Sequence, residues 1–244
     1  MGLILLVKQR EKWYYIRKGK RGRNMQENLE SVRRWYHTQE NYGYMPREVE
    51  KGLKIWEKSV AENYFVKGSH ILDIGCGVGR EAFALYDLGF SITGVDISAP
   101  ILEEAGRYAS LTKRDIEFYL INGLDLPFGD RIFDVIIIWS QTFGLLYGNE
   151  NQMHMLQECR RVLKIGGVLS FSAHDQEFVE KNFPQYVEGK KFWAYKDCWW
   201  EIFTKKEIMD LAHKAGFHVL CCREGEIYRQ EDGVVIYCVV QKNR

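Results

Sequence analysis

The 244-residue chain has no apolar run long enough to cross a membrane. Its opening stretch, Gly2 to Val7, is also too short for the hydrophobic part of a secretory leader, and charged residues follow it in place of a cleavage site. Export and membrane anchoring are therefore not expected. There is no CxxC pair either. The six cysteines (Cys76, Cys159, Cys198, Cys221, Cys222, Cys238) are scattered through a chain too large to need covalent staples, and read as free thiols in a reducing, cytoplasmic setting. Cys221 and Cys222 are adjacent in an apparent strand, where successive side chains face opposite ways, so they are not expected to share a metal; no metal site is expected elsewhere. Internal repeats and low-complexity tracts are absent. With 46% hydrophobic and 27% charged residues, the composition excludes disordered, collagen-like and disulfide-scaffold chains. The length suits one principal core with appendages.

A strong charge of one sign is missing as well: the net charge is +1, which gives no whole-molecule attraction to nucleic acid. The charge is unevenly placed, however. Residues 1–34 hold ten Lys/Arg against three Asp/Glu, a net +7, and the remainder holds 24 against 30, a net −6. Nucleic acid would have to approach through residues 1–24, a basic arm with interleaved aromatics that reads as a small hairpin, a solvated arm or an RNA-touching element.

From Met25 to Val66 the apolar spacing is helical, with Leu29, Val32 and Trp35/Tyr36 in one series and Val49, Leu53, Trp56 and Val60 in the next. Between them Asn41 to Pro46 (NYGYMP) reads as a turn. This extension, 25–67, is either a lid over a nucleotide-binding core, with Tyr42 and Tyr44 reaching a substrate, or a packing appendage. After Gly68 short β-branched runs alternate with helical stretches, the mark of a parallel sheet covered on both faces. Strands are expected at 70–74, 91–95, 116–120, 133–139, 167–172, 217–223 and 234–240. Helices are expected at 80–88, 98–110, 152–163 and 205–215, and a short polar segment joining the last two strands allows them to pair antiparallel.

Within this core ILDIGCGVGR (71–80) carries the most chemical information. A hydrophobic strand ends in Asp73 and runs into Gly75, Gly77 and Gly79, where a Cβ would obstruct both a tight strand-to-helix turn and the close approach of a ligand to the backbone. Asp96 answers this turn at the end of the next strand. An acid there can accept hydrogen bonds from both hydroxyls of a ribose, or it can serve the following helix N-terminus, a role for which Ser98 is an equal candidate. A dinucleotide fingerprint would need a third glycine at position 80. Arg80 stands there, which disfavours NAD.

The GxGxG spacing with its preceding acid resembles the first motif of the class I S-adenosylmethionine-dependent methyltransferases. LINGLDLPFGDRIFDVIII (120–138) is similar to that family's adenine-binding turn and fourth strand, and VLKIGGVLSFS (162–172) to its helix, glycine turn and fifth strand. The resemblance spans residues 70–172 in order. It implies an α/β, Rossmann-like three-layer sandwich with a seven-stranded, mostly parallel sheet whose last strand is antiparallel. The methyltransferase domain would be 68–244, preceded by the helical extension. The cofactor implied is S-adenosylmethionine. By the same resemblance, Asp73 would orient the methionine amino group, and Gly75, Cys76, Gly77 and Gly79 would shape the pocket floor. Asp96 would hold the ribose and Ile97 the adenine face, with Asn122, Gly123 and Leu124 around the adenine edge. Trp139 and Ser140 would border the methionine portion. Asn122 stands where relatives commonly have Asp, which keeps a carbonyl acceptor for the exocyclic amine.

Methyl transfer from a sulfonium releases a neutral thioether, so positioning does most of the work and no dedicated base is required. His174, at the end of the fifth strand, is the candidate base should the acceptor be a hydroxyl or ammonium. His154, on a helix among Met153, Met155 and Leu156, reads as a packed or surface residue. The chain has WSQT (139–142) where base-modifying members carry NPPY or DPPY, which argues against a nucleic-acid base and for a small-molecule acceptor. Residues 174–203 form an aromatic insertion, including Trp193, that either walls an acceptor pocket or packs onto the core or a second copy. The alternatives are an RNA or protein methyltransferase docking through the arm, and a binding protein without catalysis. Deleting residues 1–24 is expected to leave cofactor affinity unchanged in calorimetric titration; lost binding would make the arm part of the site.

Overall fold

The computed structural model describes residues 4–9, 12–17, 30–34, 36, 49–195, 198–226 and 234–243. Tyr42 and Tyr44, with the turn around them, lie outside the described residues. In the basic arm β1 (Ile4–Gln9) and β2 (Lys12–Arg17) pair antiparallel as a hairpin. Residues 30–34 are helical, and α1 covers Ile55–Tyr64. The core then alternates: β3 (His70–Ile74), α2 (Arg80–Asp87), β4 (Ser91–Asp96), α3 (Ala99–Leu111), β5 (Glu117–Leu120), β6 (Phe133–Ile138), α4 (Asn149–Val162) and β7 (Leu163–Asp175).

An insertion follows, holding α5 (Gln176–Asn182), β8 (Val187–Glu188), β9 (Lys191–Tyr195) and β10 (Cys198–Phe203). The chain closes with α6 (Lys205–Lys214), β11 (His218–Glu226) and β12 (Val234–Gln241). Strands β5, β4, β3, β6 and β7 lie side by side and parallel; β12 joins the free side of β7 antiparallel and β11 pairs beyond it. This is the expected seven-stranded sheet.

Both faces are buried because the central strands are apolar at odd and even positions alike. Ile71, Val135 and Ile137 face α1, α2 and α3, whereas Leu72, Ile74, Ile136 and Ile138 face α4 and α6. Each such side chain contributes about 1.5–3 kcal/mol by leaving water. Trp139 belongs to the first face. Its ring lies 5.4 Å from Trp56 and 6.0 Å from Phe65, and its indole N–H donates to Ser170 Oγ at 2.8 Å. That corrects its expected place beside the methionine portion: with one polar atom satisfied internally, the rest of the indole gains most by packing under α1.

The insertion reads from sequence as either an acceptor wall or a packing element, with no strands assigned to it. It instead forms a small antiparallel sheet, β8–β9–β10, whose last strand pairs with the end of β7 through Ile202 and His174. Runs of consecutive aromatics hide the two-residue alternation that marks a strand. Phe192 packs with Val179 and Ile202, joined by Phe178 and Phe183, while Trp200 and Cys198 pack with Val32, Leu145 and Tyr147. The β7 strand begins four residues earlier than expected because Gly166, at φ +79°, and Gly167 form a bulge opposite β6 instead of a turn.

Candidate functional site

The carboxyl ends of β3, β4 and β6 meet at one edge of the sheet, the edge where open α/β sheets bind ligands. The glycine turn after β3 is tied to β4. The amides of Gly75 and Cys76 both donate to the Val95 carbonyl, at 2.8 and 3.1 Å. The Asp96 carboxylate accepts from Gly77 N–H at 3.0 Å and Ser98 N–H at 2.9 Å. The same carboxylate thus orders the loop, and a carboxylate oxygen can accept more than one hydrogen bond. Ser98 is the residue at the N-cap of α3, but its hydroxyl makes no capping bond.

The three glycines have different reasons for lacking a Cβ. All have positive φ (+74°, +54° and +91°). A Cβ on Gly75 would stand 2.4 Å from Thr142 Cγ2, and one on Gly79 2.8 Å from Phe83. A Cβ on Gly77 would meet no atom within 4 Å. That open space belongs to a cavity of about 630 Å³, part of it open to solvent. Its polar side is Gly75, Gly77, Asp96 and Gly123; Ile97, Ile121 and Met155 make an apolar side, and Thr142, Leu145 and Leu146 a third wall. Val32 and Tyr36, from the helical segment, also line it, and Arg33 Nε donates to the Ile97 carbonyl at 3.2 Å.

Asp73, two residues before Gly75 near the end of β3, is buried with Oδ2 unpartnered. Burial first, and then the negative charge of Glu81, push its carboxyl well above the ordinary range. A buried acid with a free acceptor next to a glycine cradle suits a ligand that brings a cation or N–H donors. The nucleoside and amino-acid ends of S-adenosylmethionine fit these features: an acceptor pair at Asp96, an apolar slot at Ile97 and Ile121, and an unmatched acid at Asp73.

Of the residues expected from sequence, Gly75, Gly77, Asp96, Ile97 and Gly123 line the cavity. Others do not. Cys76 turns its thiol into the core, where a Cβ on Gly94 would approach it to 2.9 Å, and burial raises its pKa far from reactivity. Gly79 serves the packing of Phe83, and Leu124 is buried in the opposite core. Asn122 is half-buried beside the lining residues Ile121 and Gly123. Ser140 sits behind the loop, its hydroxyl donating to Glu81 at 2.6 Å. Trp193 is half-buried, 6.2 Å from Trp199, and does not line the cavity. His174 packs edge-to-face with Phe192 and Trp200, and burial together with the charge of Lys54 lowers its pKa to about 4. Nor does His154 pack in the core; it is paired with Asp125 at 2.9 Å near the surface.

Sequence reasoning missed Val32, Tyr36, Ile74, Ile121, Thr142, Leu145, Leu146 and Met155. Ile121 and Thr142 adjoin residues that were expected, and could have been found by extending each motif by one or two positions. Met155 reaches the cavity from a helix, where nothing in its local sequence separates it from a core residue.

A glycine turn answered by an acid on the neighbouring strand, on a sheet of this order, defines a nucleoside-binding α/β protein of the S-adenosylmethionine type. Residues 71–167 match the methyltransferase domain family. A Bacillus subtilis protein named as a methyltransferase, YqeM, is 26% identical over 179 residues, 72% of this chain and 69% of that one. Other curated relatives are spanned over about half to two thirds of their length. Among solved structures, a Methanosarcina mazei S-adenosylmethionine-dependent methyltransferase has 24% identity and a TM-score of 0.67, covering 78% of this chain and 99% of its own. The 1,6-didemethyltoxoflavin-N1-methyltransferase of Burkholderia thailandensis, with bound 1,6-didemethyltoxoflavin and S-adenosylhomocysteine, has 14% identity, a TM-score of 0.69 and 97% coverage of both chains. Residues 71–167 thus carry the match to a methyltransferase domain, on a fold shared with S-adenosylmethionine-dependent methyltransferases.

Gly77→Val is expected to abolish binding of S-adenosylhomocysteine, because its Cβ enters the open space of the cradle and a β-branched residue strains the φ of +54° there, while far-ultraviolet circular dichroism reports that the sheet and helices remain. Retained affinity in titration would separate the loop from the ligand.

Proposed function

We propose that the protein transfers the methyl group of S-adenosylmethionine to a small-molecule acceptor. The observation that carries this reading is the mainly apolar cavity at the glycine turn, lined by Asp96 as its one acid among the described residues and by Val32 and Tyr36 from the helical segment. A concave, largely apolar site of this kind favours a compact acceptor over a polymer lying across an open groove. The structural neighbour from Burkholderia, which holds a small heterocycle beside S-adenosylhomocysteine, supports the same reading.

The bound cofactor supplies an electrophilic methyl on a sulfonium, displaced in line to leave a neutral thioether. The chain's contribution is to hold the two reactants. Asp96 would accept the ribose hydroxyls, Ile97 and Ile121 would flank the adenine, and Gly123 would allow its close approach with Asn122 near its edge. Asp73 would receive the methionine ammonium. Orientation of this kind can lower a barrier by about 7–11 kcal/mol. His174 does not line this cavity; with its pKa lowered to about 4 by burial and the charge of Lys54, it would serve as a base only for an acceptor that extends beyond the cavity to reach it. Trp200 and Phe192, which flank His174, would form the neighbouring wall.

The direct test is a methyl-transfer screen over small metabolites with labelled cofactor, run beside bulk RNA and protein; label entering only the macromolecules would overturn the acceptor class. Asp96→Ala is expected to weaken S-adenosylhomocysteine by about 1.5–3 kcal/mol, the range for charged hydrogen bonds. Equal calorimetric affinities for variant and native protein would remove the ribose assignment.

A further inference from the structure

Arg80 takes the position where a dinucleotide site has glycine, and its side chain is buried although it carries a charge. A buried guanidinium persists only where its donors are matched. Here they are matched from four directions. Nη1 donates to the Gly52 carbonyl at 2.6 Å and to Glu57 Oε2 at 2.7 Å; Nη2 donates to Glu57 Oε1 at 2.8 Å, to Ser140 Oγ at 2.9 Å and to Glu81. Glu57 also accepts the Lys54 amide at 2.8 Å, which closes the first turn of α1. One side chain therefore joins the segment before α1, α1 itself, the first turn of α2 and the segment after β6.

The last of these is strained. Ser140 and Gln141 follow β6 with φ of +50° and +61°, left-handed conformations adopted without glycine. Two hydrogen bonds hold Ser140 through Arg80 and Glu81, and Gln141 N–H donates to Ser172 Oγ at 3.3 Å. Thr142 comes next, and it is the residue pressed against Gly75 that also lines the cavity. Arg80 does not line the cavity itself.

We propose that Arg80 is a positioning residue for the cofactor site: it clamps the strained Ser140–Thr142 turn against the glycine loop, and through Gly52 and Glu57 it makes the segment leading into α1 an obligate part of that site. The inference rests on the cofactor reading given above. It predicts that the pocket wall and the amino-terminal extension loosen together when the clamp is cut. A fork of five donors is required, because a lysine at this position could reach Glu57 or Ser140 but not both with the same geometry.

The test has two arms on the full chain. In the ligand-free protein, Arg80→Lys should accelerate amide hydrogen exchange at residues 52–57 and 140–142 together, with β11 and β12 keeping native protection. In titration, the same variant should bind S-adenosylhomocysteine about tenfold more weakly or worse. Low-millimolar methylguanidine should restore both properties to Arg80→Ala, which a general loss of stability would not allow. Native exchange and affinity in a folded Arg80→Lys protein would overturn the proposal, as would acceleration spread evenly over the chain. Should the arginine variants fail to fold, Ser140→Ala removes one arm of the clamp; unchanged exchange at 140–142 and unchanged affinity there would overturn it equally. If the native protein bound no S-adenosylhomocysteine, the cofactor reading would fall, and the exchange arm would still decide the clamp.

Discussion

Two amides on one carbonyl fix the geometry on which the rest of the site depends. Gly75 and Cys76 both donate to Val95 at the tip of β4, so the chain leaving β3 must turn sharply across the neighbouring strand before it can begin α2. That turn brings Gly77 under the Asp96 carboxylate and leaves backbone, without side chains, facing the cavity. A buried N–H left unmatched costs about 1–3 kcal/mol, so the turn is held wherever β3 and β4 are in register. The cradle is thus a consequence of strand pairing: β3 and β4 pair in parallel over five residues, and the loop inherits their rigidity.

Around that turn the protein concentrates buried charge. Glu57, Arg80, Glu81 and Lys54 are all nearly excluded from water, with Asp73 beside them. Such groups are expensive to bury and persist where each is matched. Glu81 illustrates the balance: burial opposes its ionised form, and Arg80, Lys54 and the Ser140 hydroxyl outweigh that and hold its pKa below the usual value. Lys54 lies on the other side of the balance, lowered chiefly by burial. Asp73 alone has an unmatched oxygen. Its surroundings are a set of paired charges, and burial with the charge of Glu81 raises its own pKa well above the ordinary value.

The helical extension and the aromatic insertion enclose this edge from opposite sides. Val32 and Tyr36 from the extension join Leu145, Tyr147, Cys198 and Trp200 in one apolar cluster, so this side of the cavity and the wall beside His174 share packing. Tyr147 stacks on Trp199 at 3.8 Å between centroids and donates its hydroxyl to the Trp199 carbonyl at 2.7 Å. The aromatic content of the insertion therefore packs it together, through Phe178, Phe183 and Phe192, and onto the core, through Trp199 and Trp200.

The seven strands, the four core helices and the glycine turn were legible in the amino-acid order because each has a local physical cause. Apolar runs bounded by glycine and acid mark buried strands, helical spacing marks the faces that cover them, and positive φ demands glycine at 75, 77 and 79. Asp96 stood out as a carboxylate at the strand end beside the glycine loop, with a ribose or the following helix as its two uses; the structure shows it accepting from the loop and from the Ser98 amide. What local order could not decide was direction and company. Trp139 and Leu124 stand next to site residues and turn inward, since their neighbours on adjacent strands offer a better-packed environment. Met155 and Leu146 look like core and reach the cavity. Arg80 read only as an obstacle to one cofactor, and its role as the junction of four segments exists only once Gly52, Glu57, Glu81 and Ser140 have been brought together from distant positions. Backbone conformation is written in single residues, whereas the partner of a buried charge is chosen by the fold.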